Sequence, residues 1–567
     1  MARALVPATP RLVSALVLLC ASASAPHRIT FTNVASKSNL TFRHHNAATP
    51  EKRLVETMGA GAAWIDYDND GWLDAYLVNS TPSRGALFRN NRDGAFTDVT
   101  ERAGVAAEGL FGMGVAAADF DNDGDQDLYV AGYGRSILYR NDGGKFTDIT
   151  EKSGAANRGR WGSSAAWLDF DRDGWLDLVI ANYVDWTPEN NIFCGESKPG
   201  YRSYCHPNKY KGQPPTLLRN NRDGAFTDVS RASRVGARPG NGLGVVCFDF
   251  NRDGWPDIFI ANDSMENFLW INKRDGTFEE AAVSAGVAYG ENGEAEAGMG
   301  VDAADYDGDG WPDLYVTHLD FEFNRLYRHN RKDAFEDATF RAGLGYQTFH
   351  LSGFGTGFID YDNDGRRDLF LANGHVLDNI HLFHPKTSYA EPKVVFHNIG
   401  GKFENVTRDL GADLSVPRVS RAAAFGDFDN DGDIDVLVSN NGQEVELLRN
   451  DGGNRNHWLQ ILLIGTKSNR DGAGAQVTIT AGGWKSADER RSGYSYQAAH
   501  DPRLHFGLGG RDRVDRIEVR WPSGAIDRVE GVTAGRAVTI QEGRGLVGLR
   551  GSRLSQPSGH AARNEIR

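Results

Sequence analysis

DYDNDGWLD occupies Asp66 to Asp74. The same nine-residue pattern returns as DFDNDGDQD from Asp119, DFDRDGWLD from Asp169, DFNRDGWPD from Asp249, DYDGDGWPD from Asp305, DYDNDGRRD from Asp360 and DFDNDGDID from Asp427. The starts lie 53, 50, 80, 56, 55 and 67 residues apart. A repeat of this length is too long for a helical or leucine-rich unit and suits a propeller blade of four strands.

Each unit repeats the same grammar around its acidic loop. A Gly- and Ala-rich run such as GMGVAAADF from Gly112 precedes the loop, and an apolar run such as LYVAG from Leu128 follows it. A hairpin closes the unit, as in ALFRNNRDGAFTDVT from Ala86, where turn residues separate two short strand-like runs. Small residues in the first strand suit the crowded axis of a ring. The F-T-D-V element occurs at Phe31, Phe96, Phe146, Phe226, Phe278, Phe335 and Phe403. The copy at Phe31 precedes any acidic loop, and the last LLRN, at Leu447, has no such partner after it. The N-terminal strand is therefore predicted to complete the last blade, which leaves no open edge. The fold class is all-β, a seven-bladed propeller over 29–453 closed by the N-terminal strand. A small β-rich, sandwich-like domain follows over 454–541, where apolar and polar residues alternate. Gly, Ser, Arg and Pro then dominate, which predicts a disordered tail over 545–567.

Composition narrows the function. Lys and Arg total 62 against 76 Asp and Glu, a net charge of −14 with the wrong sign for nucleic acid. Arg3 and Arg11, the apolar run Leu12 to Leu19 and the small residues 21–25 read as a secretory signal over residues 1–25, too short to span a bilayer. Cys20 leaves a lipoprotein as the lesser alternative. The expected location is secreted, periplasmic or cell-surface. In an oxidising compartment Cys194 and Cys205 should pair across their polar loop, and Cys247, within GVVCFDF, should be a buried small hydrophobe. The long spacing before Asp249 predicts an insertion over 182–216, expected to project from its blade and to offer aromatics such as Tyr183 and Trp186 to a partner.

The loops carry the chemistry. In D-x-D-x-D-G-x-x-D, carboxylates at positions 1, 3 and 5 wind round one point, Gly at position 6 makes the sharp turn, position 7 offers its carbonyl and position 9 closes the shell. Hard oxygen donors in a flexible loop are what Ca²⁺ requires. The candidate ligands are Asp66, Asp68, Asp70, Trp72 and Asp74; Asp119, Asp121, Asp123, Asp125 and Asp127; Asp169, Asp171, Asp173, Trp175 and Asp177; Asp249, Asn251, Asp253, Trp255 and Asp257; Asp305, Asp307, Asp309, Trp311 and Asp313; Asp360, Asp362, Asp364, Arg366 and Asp368; and Asp427, Asp429, Asp431, Asp433 and Asp435. Up to seven Ca²⁺ are expected, one per blade. Asn251 in place of Asp should weaken its site. The loops hold 29 Asp that would repel one another without cations.

These loops, with the linker at Leu87 to Gly104, resemble the FG-GAP/VCBS repeats of integrin-type propellers. SNRDGAGAQV at Ser468, DPRLHFGLG at Asp501 and VRWPSGAIDRV at Val519 resemble the ASPIC/UnbV domain. Together they are similar to the secreted cartilage acidic protein family, which has bacterial members. The resemblance implies calcium ligands at positions 1, 3, 5, 7 and 9; His500 departs from the family's usual small polar residue. It implies no defined activity.

A second site is read from symmetry. Asn79, Gly132, Asn182, Asn262, His318, Asn373 and Asn440 fall five residues after the successive position-9 Asp residues, and His375, His44 and His45 lie near them, so a ligand-binding face at the mouth of the ring is one reading. The other is that the Asn side chains cap strand ends. The leading functional reading is a calcium-stabilised extracellular module that binds a protein or glycan, with no nucleic-acid partner and no integral membrane span. The alternatives are a polysaccharide-acting, lyase-like enzyme with His318 or His375 as base, and a scaffold of a surface assembly. No G-x-S-x-G, Walker loop or HExxH occurs.

Overall fold

A computed structural model describes residues 28–551. The expected secretory signal, Cys20 and the residues after 551 lie outside the described residues. Seven four-stranded antiparallel units follow one another round a ring. The fourth blade is typical: Gly242–Phe248 lies innermost, followed by Asp257–Asn262, Phe268–Asn272 and Phe278–Glu280. Its register pairs Val245 with Ile260, Phe259 with Leu269 and Asn272 with Phe278. Side chains of adjacent blades interdigitate, so that Val246, Phe248 and Phe259 pack with Val301, Ala303 and Leu314 of the fifth. Burying apolar side chains of this size contributes about 1.5–3 kcal/mol each.

The ring closes as its repeats require. Thr30–Asn33 pairs antiparallel with Glu446–Asp451, with Phe31 opposite Asn450 and Asn33 opposite Leu448. Phe31 is 1% exposed and packs with Tyr361, Leu410 and Leu448. The two ends of the propeller chain thus share one blade.

The terminal domain is a sandwich. One sheet orders Leu504–Gly509, His457–Ile464, Arg536–Gln541 and Gly545–Gly551; the other orders Trp484–Glu489, Gln476–Ala481, Arg513–Arg520 and Ile526–Thr533. Its core joins Leu459, Ile461, Val477, Ile517 and Val538. The expected tail is corrected here: Gly545–Gly551 is an edge strand that pairs with Arg536–Gln541, because GLVGLRG carries enough apolar residues to continue the sheet despite its glycines.

The sandwich rests on the loop face of the ring and sends residues 490–500 into the central channel. Ala498–Ala499 adds to the innermost strand of the first blade as a parallel neighbour of Ala62–Ala63. Ser495 exchanges backbone hydrogen bonds with Val301, at 2.7 and 3.0 Å. Ser492 Oγ accepts from Trp167 N, and Ser495 Oγ from Thr356 N. Tyr496 is fully buried against Phe354 and donates its hydroxyl to Met58 O at 2.8 Å. Gly493 lets the segment pass: its φ is +80°, and a Cβ there would sit 2.4 Å from that of Ala166.

The insertion does not project. Cys194 and Cys205 form a disulfide with Cα atoms 5.3 Å apart, and the segment folds back across the mouth of the ring. Arg202 donates to Glu51 O, Tyr204 to Glu56 and Asn379 to Gly200 O. Tyr183 and Trp186, expected at a partner surface, are buried with Trp161, because their rings fill the space under the folded segment. Cys247 is buried.

Candidate metal centres and the mouth of the ring

The acidic loops form one hydrogen-bonded design. In the first, Asp66 accepts the N–H groups of Asp70 and Gly71 at 2.9 and 2.8 Å, and Asp70 accepts that of Trp72 at 2.9 Å. Asp74 is wholly buried and accepts from Asn90 N at 2.7 Å and Tyr67 N at 3.2 Å. Positions 4 and 6 both have positive φ, as at Asn69 (54°) and Gly71 (81°), so Asn and Gly are suited to them. Ligand oxygens of Asp66, Asp68 and Asp70 lie within 4.8 Å of one another, as do those of Asp119, Asp121 and Asp127, of Asp169, Asp171 and Asp177, and of Asp305, Asp307 and Asp313.

The donor set suits a hard cation. Asp68 Oδ1, Asp121 Oδ1, Asp171 Oδ1 and Asp429 Oδ1 are buried and have no hydrogen-bond partner, and an ionised carboxylate can only accept. Burial, reinforced by neighbouring carboxylates, pushes Asp66 up to about 6, Asp119 to about 8 and Asp313 to about 9. A divalent ion would remove that penalty.

Two roles of the LxRN element are absent from a loop-centred reading. Its Arg neutralises part of the loop: Arg89 bonds Asp68 at 2.6 Å and Asp70 at 2.9 Å, and Arg328 bonds Asp307 and Asp309. Its Asn ties blades together. Asn90 donates to Phe428 O, Asn141 to Tyr67 O, Asn220 to Phe120 O, Asn272 to Phe170 O, Asn398 to Tyr306 O and Asn450 to Tyr361 O, each a carbonyl at position 2 of the preceding loop. The recurrence of Asn beside Arg was the available signal.

The sandwich touches the loops directly. Gln460 Nε2 donates to Asp427 Oδ2 at 2.8 Å, and Gln476 Nε2 to Asp249 Oδ2 at 2.9 Å. Arg503 donates to Asp427 O and Asn430, and His505 lies 2.6 Å from Asn363 Oδ1. His500 is half-buried in the channel, stacked on Tyr494 at 4.6 Å.

On the opposite face, the Asn residues cap strand ends. Asn79 donates to Arg43 O, Asn182 to Pro214 O, Asn262 to Glu266 O, Asn373 to Pro392 O and Asn440 to Glu444 O. His44 is buried and accepts from Gly442 N, whereas His45 is exposed. His318 is fully buried 3.8 Å from Glu296. Of the predicted ligand-face residues, His375 alone lines the main cavity of the mouth, about 250 Å³ in volume and walled by Leu54, Met58, Tyr204, Leu319 and Ile380. Its Nε2 lies 2.9 Å from Asp320 Oδ1. Beside the cavity is an aromatic shelf the sequence reading missed, in which Phe323 packs with Phe340, Tyr346 and Phe349, and Phe321 (44%) and Tyr346 (77%) are exposed.

A ring of acidic-loop blades capped by a β-sandwich is an FG-GAP propeller joined to an ASPIC/UnbV domain. The FG-GAP-like repeat model matches residues 66–130, 119–180, 208–260, 249–316 and 360–438, and the ASPIC and UnbV model matches 465–547. The chain belongs to this family, that of the cartilage acidic proteins. It is 29% identical to Cartilage acidic protein 1 of Homo sapiens over 315 residues, 53% of this chain and 43% of that protein. It is also 29% identical to the Xenopus tropicalis protein over 300 residues, 50% of this chain and 42% of that one. The chain thus spans less than half the length of these relatives. Among solved structures it is similar to the BP39L lectin from Burkholderia pseudomallei, with 12% identity, a TM-score of 0.41 and coverage of 69% of this chain and 95% of that one.

Proposed function

We propose that the protein is an exported, calcium-binding propeller that acts as an extracellular binding module and meets a protein or glycan at the mouth of its ring. The calcium ligands would be the side chains at positions 1, 3, 5 and 9 of the loops with the carbonyl of position 7, and their task is structural. The observation that carries this reading is the contrast in access: the loop face is covered by the sandwich, while the mouth presents a cavity and an exposed aromatic shelf. Exposed apolar patches of this kind mark interaction sites. Among the described residues no helix is long and apolar enough to cross a membrane. The test is a glycan array and an extracellular-protein binding screen with the calcium-loaded chain, repeated with Tyr346→Ala. Binding that survives the substitution and is blocked by masking the sandwich instead would refute it.

One observation favours an enzyme as the second reading: His375 is held by Asp320 within the cavity, the arrangement a general base needs. His318, the other candidate, has no exposed surface. Degradation of an acidic polysaccharide that is lost in His375→Ala would support the enzyme; its absence across a substrate panel would leave the binding module.

A further inference from the structure

Six loops share an arrangement that the loop of the sixth blade breaks. In the six, one oxygen of the position-9 carboxylate accepts the backbone N–H of position 2, as Asp74 does from Tyr67 and Asp435 from Phe428, both at 3.2 Å. Asp127, Asp177, Asp257 and Asp313 do the same. In the sixth blade Asp368 is wholly buried and its Oδ2 has no hydrogen-bond partner. A buried carboxylate oxygen left without a donor is costly.

The third strand departs at the same place. Where the other blades carry Arg89, Arg140, Arg219, Arg328, Arg449 or Ile271, the sixth carries His397. A guanidinium has no lone pair to give a metal, whereas a neutral imidazole is a good ligand. His397 Nδ1 lies 3.0 Å from Asp368 Oδ1 and 3.8 Å from Asp362 Oδ2. Ligand atoms of Asp362, Asp364 and His397 fall within 4.8 Å of one another. The half-exposed Arg366 pairs with Asp364, and Tyr361 packs against the imidazole at 5.9 Å.

We infer that the loop of the sixth blade is a site for a borderline divalent cation of the zinc type rather than for calcium, held by His397, Asp362, Asp364 and Asp368. Calcium takes oxygen donors, while one imidazole with carboxylates suits Zn²⁺. Binding exchanges the proton between His397 Nδ1 and Asp368 for the ion, and Asp368 Oδ2 gains the partner it lacks. The inference rests on the reading of the loops as cation sites and assigns one of them a different ion.

The experiment uses the full chain, stripped with chelator, equilibrated with Zn²⁺ in the presence of millimolar calcium and then freed of loose metal. Metal analysis should find one zinc per chain, and zinc X-ray absorption should show a single imidazole among oxygen donors. His397→Arg, which restores the residue of the other blades, should weaken zinc by at least the roughly 10–100-fold that losing even an outer partner costs, with calcium content and melting otherwise kept. Zinc that is absent from the wild type, bound equally by both chains, or surrounded by two or more imidazoles would overturn the assignment. The absorption measurement needs no variant, so a poorly folding substitution does not shield the idea. Calcium counted in the same samples separates the two readings: zinc at His397 without calcium elsewhere sinks the calcium proposal, and calcium without zinc sinks this one.

Discussion

The two faces of the ring are built on opposite principles. On the loop face, the blades repeat nearly the same hydrogen bonds, from the N–H groups of positions 5 and 6 to the position-1 carboxylate, and the Asn of LxRN stitches six of the blades to the loop of the preceding one. On the mouth face the blades differ. One carries the disulfide-closed insertion, others contribute Asp320 and His375, and Phe321 is held at a φ of +66°, unusual for a bulky residue. Repetition serves the closed, covered face, where most copies make the same contacts. Singular features gather on the open face, the one proposed above to meet a partner.

Perturbing each face should therefore give different kinds of failure. The largest effect is expected at ring closure. Deleting residues 28–36 removes the Thr30–Asn33 strand and the Phe31 anchor, worth about 1.5–3 kcal/mol by itself, and bares the edge of the last blade. The truncated chain should aggregate or lose its single unfolding transition in calorimetry.

Next comes the channel. Tyr496→Ala leaves a hole beside Phe354 and frees Met58 O, which should cost about 3–5 kcal/mol, the range for losing a buried aromatic. If the sandwich and ring are coupled through this segment, urea unfolding should also separate into two transitions.

A smaller effect depends on pH. Burial pushes the His500 imidazole from the usual 6.5 down to about 3. A base whose folded value is depressed contributes nothing adverse above 6.5 and costs stability as pH falls below it, since the unfolded chain then binds the proton first. The loss should be on the order of 1 kcal/mol per pH unit. His44, His318, His329 and His505 are depressed in the same way, so His500→Gln should remove only its own share of the slope of melting against pH between pH 6.5 and about 4. The smallest effect on stability belongs to the mouth: Tyr346→Ala, at an exposed position, should change melting within about 0.5 kcal/mol yet abolish partner binding.

The comparison also explains what could be read in advance. Repeated local patterns were legible: the acidic loops, the hairpins and the vacancy that Phe31 fills all follow from short segments counted along the chain. The Asn residues after the second strands were visible but ambiguous, since a strand-end cap and a ligand contact use the same amide. The threading of GYSYQAAH through the channel was not legible. Its partners, among them Val301, Thr356 and Ala62, are remote in sequence, and a segment that borrows its pairing from several blades has no periodicity of its own. Tyr183 and Trp186 misled for a related reason: an aromatic in an insertion reads as exposed until the insertion is seen folded over it. GLVGLRG was hidden by its glycines, although the edge of a sheet tolerates them.

The central claim is that cations in the acidic loops hold the ring together, and the direct test is calorimetric melting of the full chain with calcium counted per chain. Each filled site adds RT ln(1 + [L]/Kd), so millimolar calcium at several sites of extracellular affinity should raise stability by several kcal/mol. The account predicts that chelation lowers the melting temperature sharply, that calcium restores it, and that Asp74→Asn abolishes one bound ion. A melting curve indifferent to chelator, with no calcium retained, would contradict it.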